Sequence, residues 1–228
     1  LLNYFLLNQR MKKIVIAIMT LCLLAPVAAG AQSNRDLGKV LKKEFKQKKK
    51  ELKKGKWEIY GSSFSLETAL YRHYEKLLAG GEAVSEVQGV ASNFNSKNIG
   101  HQMAVNNACN NYARRAGSTV RGRVVSDLAA DAENIDTEFD KFYAAYESTV
   151  EKEIKGEMSE SFSIIREVGK DKQSGKALYE MQTFFIVDEN AASRARIRAF
   201  EAAKAESEAA QKYAEQVSDF IKEGFDAE

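Results

Sequence analysis

"SFSIIREVGKDKQSGKALYEMQTFFIV", Ser161 to Val187, decides the fold. Two apolar arms flank a polar run bounded by glycines, Gly169-Lys170-Asp171-Lys172-Gln173-Ser174-Gly175, which is the pattern of two antiparallel strands joined by a turn. The first arm is expected to run from Ile154 to Val168 and the second from Ala177 to Val187. In the second arm Leu178, Glu180, Gln182, Phe184 and Ile186 alternate with Tyr179, Met181, Thr183, Phe185 and Val187. Toward its end both faces are apolar, which places this strand inside a sheet.

Upstream of the hairpin, Asp131 to about Lys152 reads as a helix whose Phe139, Phe142, Tyr143 and Tyr146 mark core. Val120 to Val125 reads as a short strand. Before it, a helix from Ser96 or Asn98 to about Ala116 carries Val105, Ala108, Tyr112 and Ala116 on one face, with Met103, Ala104 and Ala113 beside it. Its small residues allow close approach to a sheet, and Gly117 suits a C-cap. Ala83 to Ala91 is expected to be a strand. Phe64, Leu66, Leu70, Tyr74, Leu77 and Leu78 form the stripe of another helix, capped by Ser63 or Ser65 and ended by Gly80-Gly81; Trp57 to Tyr60 precedes it as a short strand. Downstream, Glu189 to about Glu223 reads as one long helix with Ala199, Ala203, Ala210, Tyr213, Val217 and Phe220 on a stripe, its Ala-rich first half open to solvent or to another chain. This order predicts an α+β fold: a two-layer domain with a mainly antiparallel sheet packed by helices, a long C-terminal helix and a basic N-terminal helical arm.

The N-terminal region has the parts of an export signal. Met11-Lys12-Lys13 is a short positive region, Ile14 to Leu24 an apolar run of about eleven residues where a membrane span needs roughly 20, and Ala29-Gly30-Ala31 a small-x-small cleavage site. Cleavage is expected after Ala31, and residues 1–10 read as an upstream extension. Cys22 follows the bulky Leu21, which argues against lipidation. The expected organisation is therefore a signal and extension over 1–31, a basic helical arm over 32–56, the α+β domain over 57–188 and the C-terminal helix over 189–228, in a periplasmic or cell-surface protein without a transmembrane segment after cleavage.

The formal net charge of +2 hides an uneven distribution. "KVLKKEFKQKKKELKKGKW", Lys39 to Trp57, holds ten lysines and two glutamates, whereas the remainder from Glu58 onward is acidic on balance. Leu37, Leu41, Phe45 and Leu52 give the arm a thin apolar face at helical spacing. The arm is open to three readings: a solvated helix or spacer, a contact for anionic lipid head groups, lipopolysaccharide or wall polymer, and a nucleic-acid arm. Export and the paucity of interleaved aromatics disfavour the last. The residues expected to meet an anionic surface are Lys42, Lys43, Lys46, Lys48, Lys49, Lys50, Lys53 and Lys54. The charge balance also allows the arm to fold back on its own body.

The run "EVQGVASNFNSKNIGHQMAVNNACNNYARRAGSTVRGRV", Glu86 to Val124, followed after a helix by the hairpin, resembles a bacterial envelope family typified by a twenty-kilodalton outer-membrane lipoprotein, and the N-terminal domain of a flagellar-ring assembly protein. The shared pattern is a Gly-containing strand, an Ala-rich helix ending in glycine, a valine strand and a two-stranded finish, over roughly Val84 to Val187. The resemblance implies a non-enzymatic envelope component, an adaptor or surface antigen, with no catalytic residues to carry over. The chain departs from it in lacking a lipobox and in adding the basic arm and long C-terminal helix.

Beyond the arm, residues able to carry chemistry are sparse. His101 and Cys109 stand eight residues apart on one expected helix, about 12 Å along its axis, too far for a thiol–imidazole pair. His73 has no ligand partner nearby in sequence, Gln88 to Ser92 lacks the glycines of a dinucleotide loop, and the acidic residues from Asp127 to Asp140 lack calcium-loop spacing. No metal, cofactor or catalytic residue is expected. The expected function is that of an exported non-enzymatic envelope protein acting as a binding or assembly module, partnered by an envelope protein or an anionic envelope surface and not by nucleic acid. The alternatives are a structural oligomer, possible through the C-terminal helix, or an envelope hydrolase.

Overall fold

The computed structural model describes residues 28–128 and 134–224. The core of the expected export signal lies outside them. The chain divides into two units, one ending at Glu44 and a compact one over Phe45–Glu228. Helix α1, Ala28–Lys54, crosses that division.

The compact unit is α+β. The quoted hairpin forms its centre as β3, Met158–Lys170, and β4, Ala177–Asp188. The strand order is β1-β3-β4-β2, all neighbours antiparallel, with β1 at Glu58–Tyr60 and β2 at Val84–Phe94. As its two apolar faces predict, β4 is an inner strand. The turn is held by Asp171, whose Oδ1 accepts from the backbone N–H groups of Gln173 (3.2 Å) and Ser174 (2.6 Å). Phe162 and Phe184 are direct cross-strand partners and stack at 4.5 Å, a pair contributing about 0.5–1.5 kcal/mol beyond burial and pinning the register. The first arm starts later than Ile154, because Ile154 is buried as the last residue of a helix.

One face of the sheet meets α3, Lys97–Leu128, a single 32-residue helix. Gly117 does not cap it, and Val120–Val125 is helix where a strand is expected. Ala104, Ala108, Tyr112, Ala116, Val120, Val124 and Leu128 recur every fourth residue and are all buried, so one continuous stripe outweighs both the glycine and the β-preference of valine. The valine strand that contributes to the family resemblance is therefore absent. The short α4, Ile135–Glu138, and α5, Asp140–Ile154, lay Phe139, Phe142, Tyr146 and Val150 over this stripe.

The C-terminal region is helical but not one helix. It comprises α6, Glu189–Ala203, α7, Glu208–Lys212, and α8, Ala214–Glu223. Ser207 makes the first break: its Oγ caps α7 by accepting from Ala210 N–H (3.2 Å) and donates to the Glu138 carbonyl (2.8 Å). The alanine face left open by the sequence, Ala192, Ala195, Ala199 and Ala203, is buried in the same core as α5. Arg196, also buried, ties α6 to α3 by donating to Tyr112 Oη (2.5 Å) and to α8 by donating to the Ile221 carbonyl (3.4 Å), and it bonds Glu189 Oε1 within its own helix (2.6 Å).

The opposite face of the sheet is roofed by α2, Leu66–Gly80, and the end of α1. Ser65 caps α2 by accepting from Thr68 N–H. Leu52, Trp57, Ala69 and Leu70 pack there on Phe162, Ile164 and Phe184. Leu52 is fully buried, so α1 from Phe45 onward belongs to the α+β unit, and the domain begins upstream of the expected boundary at residue 57. The free edge of β2 is covered by α3: Asn107 and Asn111 donate to the Val90 and Gln88 carbonyls at 2.7 and 3.2 Å, occupying groups that would otherwise template another strand.

Candidate anionic-surface contact

The lysine-rich helix is seated by its apolar residues. The Phe45 ring stands edge-on to Tyr71 and Tyr74 of α2 with centroids 6.2 and 6.0 Å apart, and Leu52 enters the core two turns later. This orientation fixes where the cations point. Lys48 turns inward, pairing with Glu51 (3.8 Å) and lying 5.6 Å from the centroid of the Phe184 ring. Lys49 bonds Glu67 of α2, and that hydrogen bond is the main cause holding the Glu67 carboxyl below its usual range. The other six expected residues, Lys42, Lys43, Lys46, Lys50, Lys53 and Lys54, are exposed and form no salt bridge among the described residues. Lys42 and Lys43 fall in the unit ending at Glu44, and the rest in the compact unit. Within the compact unit the helix is thus held to the body by apolar packing and one ion pair to a body carboxylate, leaving most of its charge to solvent.

Three other places gather polar groups. Beneath α2, His73 is fully buried, edge-on to Phe162 at 5.3 Å, with Nε2 bonded to Glu86 of β2. Its Nδ1 is buried without a hydrogen-bond partner. Sequence spacing concealed this pair, because only the packing of α2 over β2 joins positions 73 and 86. On the other face, Ser163 donates to Glu160 Oε1 (2.6 Å) and shares a hydrogen bond with Thr183 (3.0 Å), while Glu160 Oε2 meets His101 Nε2 (3.0 Å). The carboxylate stands between serine and imidazole, so His101 does not contact the serine it would have to deprotonate in a Ser–His pair. Cys109 is separate from His101, as expected. Its thiol is buried, donates to Met158 Sδ at 3.7 Å and is pushed up in pKa by burial, the condition of an unreactive cysteine.

The third is a cleft of about 320 Å³ lined by Lys56, Glu58, Lys97, Glu167 and Tyr179. Its charges are mixed, and Arg166, also in its wall, is committed to Glu180 through two bonds of 2.6 and 2.9 Å. Among the described residues of the acidic stretch, Asp127 pairs with Arg123 (2.9 Å) and Asp136 with Arg121 (2.6 Å). Among the described residues no group of three or more His, Cys, Asp or Glu side chains is arranged to hold a metal ion, and no helix is long and apolar enough to cross a membrane.

No family model, curated protein or solved structure matches this chain.

Proposed function

We propose that this is an exported, non-enzymatic envelope protein that acts as a binding or assembly module, with α1 making an electrostatic contact to a phosphate-bearing envelope surface. The observation that carries the reading is the set of exposed, unbridged lysines Lys46, Lys50, Lys53 and Lys54 on the part of α1 whose other face is packed by Phe45 and Leu52, with Lys42 and Lys43 exposed earlier in the same helix. Docking matters physically. A helix already fixed on a domain presents its charges without having to order on contact, so little conformational entropy opposes binding. A lysine close to an anionic membrane contributes about 1 kcal/mol, so four to six of them suffice for association without any shaped pocket. The signal-like region Met11 to Ala31 supports the compartment.

Retention on purified envelope fractions tests the contact. Protein lacking residues 32–44, which keeps Phe45 and Leu52, is compared with the Gln32–Glu228 form at low and high salt. Partial loss at low salt and little retention of either protein at high salt is expected. Equal retention under all four conditions would refute it. Intact mass of the exported protein tests the compartment, with an N-terminus at Gln32 expected.

A further inference from the structure

A helix lying on a sheet ordinarily turns polar residues to water, yet the outer side of α2 exposes Tyr71 and Leu78 among its charged residues Glu67, Arg72, Glu75 and Lys76. Phe64, immediately before the capping Ser65, and Tyr71 and Leu78 are 43, 58 and 41% exposed. Tyr71 and Leu78, seven residues and close to two helical turns apart, lie about 10 Å from each other along α2 on the side opposite the buried Ala69, Leu70 and His73, and Phe64 adds a third exposed apolar side chain just before the helix begins. Cations border these side chains. Arg72 lies 3.9 Å from the centroid of the Phe64 ring, and Lys76 is exposed on the same flank. On the other side runs α1, with Phe45 against Tyr71, Lys49 bonded to Glu67 and Lys53 adding a second positive charge toward that carboxylate. Lys46, Lys49 and Lys53, at steps of three and four, share that flank.

We propose that α1 and α2 together form a peripheral docking face for an anionic lipid bilayer, the row Phe64, Tyr71 and Leu78 entering the boundary between head groups and acyl chains while the flanking cations meet lipid phosphates. The proposal rests on the electrostatic contact above and names its surface. A soluble polyanion or wall polymer accounts for the lysines but offers no apolar phase to the row. A bilayer offers both, and aromatic residues with a polar tip such as Tyr71 favour that boundary. Glu67 is already neutralised by Lys49. Glu75, exposed between Tyr71 and Leu78, keeps the face at head-group depth.

Co-sedimentation with phosphatidylcholine vesicles, with and without phosphatidylglycerol, tests this beside binding to soluble polyphosphate, which offers charge alone. Three proteins are compared: the parent, the row variant Phe64→Ser/Tyr71→Ser/Leu78→Ser, and the charge variant Lys46→Gln/Lys50→Gln/Lys53→Gln. The expected result is parent binding to anionic vesicles only, about tenfold weaker vesicle binding by the row variant with polyphosphate binding intact, and loss of both by the charge variant. Tyr71→Ser alone replaces the triple change if that variant melts earlier than the parent. Vesicle binding unchanged in the row variant would overturn the proposal. A parent that binds polyphosphate or envelope fractions but not anionic vesicles, or whose envelope binding is lost when envelope proteins are digested, would overturn the bilayer and leave the contact through α1 standing. Failure on every surface would remove both.

Discussion

Two tyrosines in the same core face opposite situations. Tyr146 is fully buried and its hydroxyl has no hydrogen-bond partner. Tyr112 is buried too, but its hydroxyl accepts from Arg196, itself buried. Tyr146→Phe deletes an unsatisfied group and is expected to stabilise the fold by up to about 1 kcal/mol, whereas Tyr112→Phe leaves a buried guanidinium short of an acceptor and is expected to cost about 1–3 kcal/mol; urea denaturation distinguishes them. The same burial sets an alkaline limit. It pushes Tyr112 up to about 12 and Tyr146 higher still, against about 10 in an unfolded chain. Because the folded values are raised, the full contribution is present below pH about 10 and is lost as pH climbs toward the folded values, where the unfolded chain alone readily releases these protons. The share of tyrosinate absorbance due to the buried Tyr112 and Tyr146 should therefore appear together with unfolding in this window, and a fully folded protein with both ionised would contradict the assignment.

At the scale of elements, two glycines of α3 and its neighbouring strand behave differently. A Cβ on Gly89 of β2 would stand 1.8 Å from the Ala104 carbonyl oxygen of α3, a backbone atom that cannot move alone. The three atoms nearest a Cβ on Gly117 all belong to the Glu147 side chain. Gly89→Ala should then cost about 1–3 kcal/mol, while Gly117→Ala, which gains helix propensity and displaces a movable carboxylate, should remain within about 1 kcal/mol of the parent; thermal melting compares them. Elements with local signals were legible: the hairpin from its turn and alternation, α2 from its stripe and its Ser65 cap. Val120–Val125 was not, because a valine-rich window favours a strand until the fourfold spacing from Ala104 to Leu128 is followed across Gly117. The break at Ser207 depends on the Glu138 carbonyl, which is 69 positions away. The lysine run was visible at once, but the depth of Leu52, the row on α2 and the His73–Glu86 pair arise from long-range packing that no local pattern encodes.

For the whole molecule, the consequence is that the basic helix is both part of the fold and the proposed contact. Leu52→Ala should cost about 2–5 kcal/mol in denaturation, the penalty of a buried cavity and not of a spacer, and a change under about 0.5 kcal/mol would show that α1 does not pack on the sheet. Deletions that remove Leu52 would therefore confuse unfolding with lost binding, whereas charge substitutions on the exposed face avoid that ambiguity. The decisive measurement is the affinity of Gln32–Glu228 for envelope fractions across a salt series, set against Lys42→Gln/Lys43→Gln/Lys46→Gln/Lys50→Gln/Lys53→Gln/Lys54→Gln with its melting temperature checked. Screening by salt should weaken the parent steadily, and the variant should bind weakly with little salt dependence. The same affinity and the same salt dependence in both proteins would contradict an electrostatic contact through α1.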